Sequence, residues 1–178
     1  AEHMAHYTTE GVDFWWNDEG ETDFYTFHWW NVAQRDAMRS VAPQKRFYTL
    51  NRAFTPGSAR IGAAYWTGDV DPTWTDLLGT PGMMLNWGLA GAPFVTCDIG
   101  GFTGQTNAQL LTRWYQVGIF LPLMRVHSTE TATPHWPWLW GPEPEAAMRG
   151  ALELRYRLLP YHYSLAHRQY ETGSLWMR

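Results

Sequence analysis

At 178 residues the chain can enclose one hydrophobic core, and no change in composition along it marks a second domain. Its net charge of −4, without any Lys/Arg run, argues against nucleic acid and anionic membrane surfaces as partners, and no apolar stretch nears the ~20 residues of a membrane span. Charged residues make up only 17%, against roughly a quarter in typical soluble domains, while tryptophan occurs 12 times.

Core burial should absorb more than half of those tryptophans. That leaves Trp15-Trp16, Trp29-Trp30 and the cluster Trp136, Trp138, Trp140 as faces on which sugars could stack. The lone Cys97 forbids an internal disulfide and, with apolar flanks, reads as a small buried hydrophobe. The N-terminus lacks the basic and apolar regions of a signal peptide, which leaves the compartment unknown. The abrupt start reads as a cut from something longer.

Taken in order, five short β-branched or aromatic runs predict strands: Val12 to Trp16, Phe47 to Leu50, Ala63 to Trp66, Pro93 to Cys97 and Leu121 to Val126. Between and after them, apolar spacing of three to four residues predicts helices over Trp30 to Val41, Trp74 to Leu89, Asn107 to Phe120 and Glu143 to Glu171. Thr106-Asn107 supplies a cap for the third of these. Pro160 should kink or split the last, and Gly173 should stop it.

Strands alternating with helices point to parallel βαβ units, hence to a doubly wound sheet or a (β/α)8 barrel. The barrel is favoured because each strand delivers a polar group at its C-terminal end, namely Asp18, Arg52, Asp69, Asp98 and His127. No glycine-rich phosphate loop marks a switch point of the other kind. Five strands are too few for a closed barrel, so the fold class is α/β, a partial (β/α)8 barrel. An open half-barrel leaves two unpaired strand edges, and the isolated piece should be poorly soluble or inactive.

Asp18 and Asp69 each close an apolar run beside tryptophan. Two carboxylates flanking one bond are the equipment of most glycoside hydrolases. Asp18 lies among Asp18-Glu19-Gly20-Glu21 and reads equally as a solvated acidic turn. For Asp69, the indole of Trp66 would favour the protonated form that a general acid needs. A helix cap is the competing role there, although Asp71 or Thr73 is better placed for it. Arg52 at a strand end could offer a rigid fork to a carboxylate or to sugar hydroxyls, whereas Arg60 reads as a structural ion pair at least as well. The histidines lack ligand spacing, so no metal or other cofactor is implied. Cys97 sits in an apolar strand where a thiolate would be costly, which argues against acyl transfer.

These motifs, in order, resemble glycoside hydrolase family 31, the retaining α-glucosidase and α-xylosidase family, over nearly the whole chain. Gly11-Val12-Asp13-Phe14-Trp15-Trp16-Asn17-Asp18-Glu19-Gly20-Glu21 resembles its nucleophile strand. Asn51-Arg52 with Gly57-Ser58-Ala59-Arg60 resembles its arginine loop, and Tyr65-Trp66-Thr67-Gly68-Asp69 its acid/base motif. Pro81 through Phe94, Asp98-Ile99-Gly100-Gly101-Phe102 and Arg155-Tyr156-Arg157-Leu158-Leu159-Pro160-Tyr161 complete the match.

The resemblance implies Asp18 as nucleophile and Asp69 as acid/base, their carboxyls roughly 5 to 5.5 Å apart. It implies Trp16, Glu21, Arg52, Trp66, Asp98, Phe102 and His127 as substrate-binding residues. It further implies that residues 1–178 cover roughly strands four to eight of the barrel. The earlier strands and the flanking β-domains would then come from the rest of a full-length chain. The partner is an α-linked oligosaccharide or glycoside.

The Asp18-Glu19-Gly20-Glu21 sequence departs from the Asp-Met-Asn-Glu of many α-glucosidases, which leaves the sugar open. Glu19 beside the nucleophile could select against anionic sugars. A transglycosylase on the same site, or a non-catalytic carbohydrate-binding fragment, remain the alternatives.

Overall fold

A computed structural model describes residues 1–19, 23 and 25–178. Its secondary structure is α1 (Glu2–Thr9), β1 (Trp15–Asn17), α2 (Thr26–Val41), β2 (Thr49–Asn51), β3 (Ala63–Trp66), α3 (Trp74–Leu89), β4 (Val95–Thr96), α4 (Ala108–Gly118), α5 (Pro142–Arg157) and α6 (Leu159–Thr172), with short 3-10 turns at Ser58–Ile61 and Pro137–Leu139. The four strands form one parallel sheet in the order β1-β2-β3-β4, so sequence neighbours are also spatial neighbours. Helices cross over from β1 to β2 and from β3 to β4; the β2–β3 connection carries only the 3-10 turn at Ser58–Ile61.

Every residue of β2 and β3 is buried, as a parallel sheet covered on both faces requires. Alternation along β3 sends side chains to two different cores. Ala63 and Tyr65 join a large cluster with Leu77, Val95, Leu111, Trp114 and Met148. Ala64 and Trp66 join a smaller one with Leu50, Tyr48 and Phe94. The large cluster lies between the sheet and α3, α4 and α5, and Trp114 at its centre has no exposed surface. Cys97 is buried within it, and desolvation pushes its thiol up to about 11, so it packs as a hydrophobe.

The helix signals acted as read. Thr73 caps α3, its Oγ1 accepting from Asp76 N at 3.1 Å, and Asn107 caps α4, its Oδ1 accepting from Leu110 N at 3.0 Å. The long C-terminal pattern is split at Leu158, with Pro160 in the first turn of α6 and Gly173 closing it at φ 70°.

The expected strand from Leu121 to Val126 does not form. Only Val126 pairs, in a single parallel bridge to Ile99, with Ile99 N donating to the Arg125 carbonyl at 3.2 Å. Pro122 has no N–H to give a ladder. The guanidinium of Arg155 takes the neighbouring carbonyls instead, those of Ile119 at 2.8 Å, Leu121 at 2.6 Å and Pro122 at 3.1 Å. The tryptophans also depart from expectation. Only Trp66, Trp114 and Trp176 are buried, while Trp16, Trp29, Trp30, Trp74, Trp136 and Trp138 are exposed.

Candidate active site

Four consecutive strand ends bring Asp18, Arg52, Asp69 and Asp98 to one end of the sheet, the C-terminal end at which barrel enzymes keep their chemistry. Asp18 follows β1 directly. Its Oδ1 accepts from Glu19 N at 2.7 Å, and Glu19 is held at φ 58°, the only non-glycine in the left-handed region among the described residues. Such strain persists where surrounding contacts impose it.

Arg52 follows β2, and its backbone N donates to the Asn17 carbonyl at 3.1 Å, which continues the ladder to the edge of the site. Its Nη1 then stands 3.6 Å from Asp18 Oδ1 and 3.3 Å from Asp69 Oδ1. One guanidinium nitrogen therefore serves both acids. Their oxygens cannot be farther apart than the sum of those two distances, a limit that admits the ~5 Å spacing of a retaining pair. The Asp69 side chain is 45% exposed and faces Arg52, whereas Trp66 is turned toward Trp16 and Arg125.

Asp98 is wholly buried and pairs with Arg125. Burial pushes its carboxyl up to about 7; Arg125 opposes that shift, Asp69 adds to it, and Arg52 opposes it in turn. The same guanidinium lies over two indoles, its Cζ 5.2 Å from the ring centre of Trp16 and 5.1 Å from that of Trp66. Trp16 meets Trp66 edge-on at 5.8 Å and His127 edge-on at 5.0 Å, while Phe102 stacks on His127 at 5.3 Å. Burial and the nearby Arg125 both hold the His127 imidazole below its usual value, which keeps it neutral near pH 7.

The loop after Asp98 is tied to the loop after Asp69. Phe102 N donates to the Val70 carbonyl at 2.7 Å and Thr103 Oγ1 to Asp71 Oδ1 at 3.2 Å. Gly101 makes the approach possible, because at φ 92° a Cβ there would come within 2.5 Å of the Pro72 backbone.

Asp18, Arg52, Asp69, Trp16, Trp66, Asp98, Phe102 and His127 thus form one connected group, while Glu21 lies outside the described residues. Arg125 and Asn17 were missed. Arg125 precedes His127 by two positions, the spacing that puts two side chains on one side of an extended segment, and that signal was available. Asn17 was legible only as a polar residue in an aromatic run. A cavity of about 890 Å³ opens at the opposite ends of the strands, lined by Tyr48, Ala63, Phe94, Arg39 and Lys45 among others, and contains none of the expected site residues.

The sequence matches the family model described as "Glycosyl hydrolases family 31 TIM-barrel domain" over residues 1–165. It is 43% identical over 155 residues to a probable glucan 1,3-alpha-glucosidase of Oryza sativa subsp. japonica, covering 86% of this chain and 16% of that protein. The fold superposes on the Tris-bound glucosidase II alpha subunit with a TM-score of 0.85 at 33% identity, covering 91% of this chain and 20% of the other. It also superposes on a GH31 alpha-xylosidase from Xanthomonas citri with a TM-score of 0.84 at 27% identity, covering 94% and 22%. The chain spans about a fifth or less of the length of these relatives.

Proposed function

The chain belongs to glycosyl hydrolase family 31, and on that premise we propose that it carries the catalytic carboxylates of a retaining α-glycoside hydrolase of α-glucosidase type. The observation that carries the reading is the single Arg52 nitrogen within 4 Å of both Asp18 and Asp69. It keeps two acids near enough for the spacing of double displacement, without leaving their mutual repulsion unopposed.

In this mechanism Asp18 attacks the anomeric carbon while Asp69 gives a proton to the departing oxygen. Asp69 then takes a proton from water, which displaces Asp18 and releases the sugar with its configuration retained. Arg52 and the neutral His127 bind ring hydroxyls, and such bonds strengthen as oxocarbenium character develops. Trp16, Trp66 and Phe102 provide apolar walls, and Asp98, buried beneath them with Arg125, belongs with the substrate-binding residues through the family resemblance. Glu21 belongs with the substrate-binding residues through the family resemblance. Residues 1–178, with four paired strands and a bridge at Val126, belong to the later part of a barrel completed by the rest of a longer chain, and the activity belongs to that complete protein. The α-linked glucoside class is supported by the names of the curated relatives, and the α-xylosidase neighbour keeps xylosides in view.

The test is a screen of the complete protein against 4-nitrophenyl α-glucoside, α-xyloside and α-galactoside, with Asp18→Asn as control and the first-formed anomer read by NMR. Turnover with retention, abolished in Asp18→Asn, is the expected result. Turnover with inversion, or full activity in Asp18→Asn, overturns the assignment. No turnover of any of the three substrates overturns the hydrolase reading.

A further inference from the structure

Behind Asp18 and Arg52 lies a buried cluster of polar side chains that the chemistry above does not use. Asn17 and Asn51 are partners across β1 and β2, and each immediately precedes a residue of the site. Alternation turns Trp16 toward the site and Asn17 the other way, against α2. There Asn17 Nδ2, with two protons to give, lies within hydrogen-bond distance of Asn31 Oδ1 at 2.9 Å, Gln34 Oε1 at 3.0 Å, Thr49 Oγ1 at 2.9 Å and Asn51 Oδ1 at 2.7 Å. Its Oδ1 accepts from Gln34 Nε2 at 2.9 Å, and its backbone carbonyl accepts from Arg52 N. None of the five side chains is more than 7% exposed.

Burying so many amides costs stability relative to leucine or valine of similar shape unless the hydrogen bonds are made, and made in one arrangement. Such a cluster fixes geometry where an apolar packing would tolerate sliding. Asn31 and Gln34, three residues apart on one face of α2, and Thr49 and Asn51 on β2 surround the end of β1; Gln34 Nε2 bonds Asn17 Oδ1, the two protons of Asn17 Nδ2 serve two of the four acceptors at a time, and Asn51 Nδ2 is buried without a partner.

We propose that this cluster is a positioning device: Asn17, held by Asn31, Gln34, Thr49 and Asn51, sets the placement of Asp18 relative to Arg52. The inference rests on the reading of Asp18 as nucleophile. A shift of β1 against β2 would change the 3.6 Å separation of Asp18 and Arg52 and carry Trp16 with it, while leaving the other two walls, Trp66 on β3 and Phe102 beyond β4, in place. Turnover would then suffer more than substrate binding.

The test uses the complete natural chain and a fluorinated glycosyl fluoride that traps the covalent intermediate, so that competent sites are counted and the labelled residue is identified. Asn17→Leu is expected to lower kcat per trapped site roughly ten- to a hundredfold, with KM within about twofold, since a displacement near 1 Å costs about that much. Thr49→Val, which keeps the shape and removes the hydroxyl, should lower it several-fold, and Thr49→Ser should restore it. Unchanged kcat per trapped site in Asn17→Leu and Thr49→Val overturns the proposal, whatever happens to thermal stability. If Asn17→Leu does not fold, the Thr49 pair decides. A label on a carboxylate other than Asp18 in the unmutated protein overturns the nucleophile assignment instead, before any variant is made.

Discussion

Arg125 meets the carboxylate of Asp98 with a side chain only 19% exposed, and the Asp98 side chain has no exposure at all. The pair sits directly beneath the aromatic walls of the site, because the same guanidinium faces Trp16 and Trp66. A charge this deep is stable only while its partner remains, and the partner also holds two rings.

Removing Arg125 should therefore do more than remove a charge. Above about pH 7, where Asp98 is ionised, Arg125→Gln leaves that carboxylate buried and unpaired, a loss of about 3–5 kcal/mol, unless it takes up a proton. The double variant Arg125→Met with Asp98→Asn should recover at least half of that stability but none of the activity. Urea unfolding of the single and double variants, alongside kcat, checks both.

The pH dependence of stability carries a sign that can be read. Burial raises Asp98 from 3.8 to about 7, so the folded protein holds a proton that the unfolded chain releases. The stability this group contributes is fully present below pH 3.8 and is lost as pH rises to about 7. In melts at intervals across that range, the stability advantage of the parent over Asp98→Asn should shrink with rising pH and then level off. A difference that grows with pH would contradict the assignment.

Arg52→Lys replaces a planar fork with a point charge on a flexible stem. With one cation serving Asp18 and Asp69, kcat/KM should fall roughly 10²- to 10³-fold while stability changes little, since all three groups are partly exposed. Steady-state kinetics and a thermal melt separate the two effects.

Glycine substitutions test how closely the two loops lie. Gly57 has φ 84° with open space around it, so Gly57→Ala should cost only the backbone term, about 1–2 kcal/mol. Gly101→Ala adds a clash with Pro72 and should cost more, with a fall in kcat because the displaced loop begins at Asp69. Equal losses in the two variants would mean that the loop yields freely.

What the sequence disclosed was local. The bounds of β3 and α3, the caps at Thr73 and Asn107 and the split before Pro160 follow from signals within a few residues, and the structure has them. The family motifs name Phe102 and His127 as site residues, but the stacking of one ring on the other is a contact across 25 residues that no local signal announces. The rest depended on partners distant in the chain. Arg125 acquires its place from Asp98, Trp16 and Trp66, and Asn17 from four residues on two other elements. Helix α1 carries histidines and threonines with little apolar spacing and gave no period to detect. The expectation that the core takes more than half of the tryptophans fails, since only three are buried, yet five of the six at the surface, Trp16, Trp29, Trp30, Trp136 and Trp138, are among those set apart from the core in the sequence.

The missing fifth strand alters where control over the site resides. Because Pro122 breaks the ladder, the segment that delivers Arg125 and His127 is held where it begins by a side chain of α5, Arg155, and meets its neighbouring strand end only in the single bridge at Ile99. Changes on a peripheral helix can thus retune the rim of the proposed site without altering any residue that lines it. That gives this stretch a tolerance to remote adjustment that the hydrogen-bonded strands on its other side do not have.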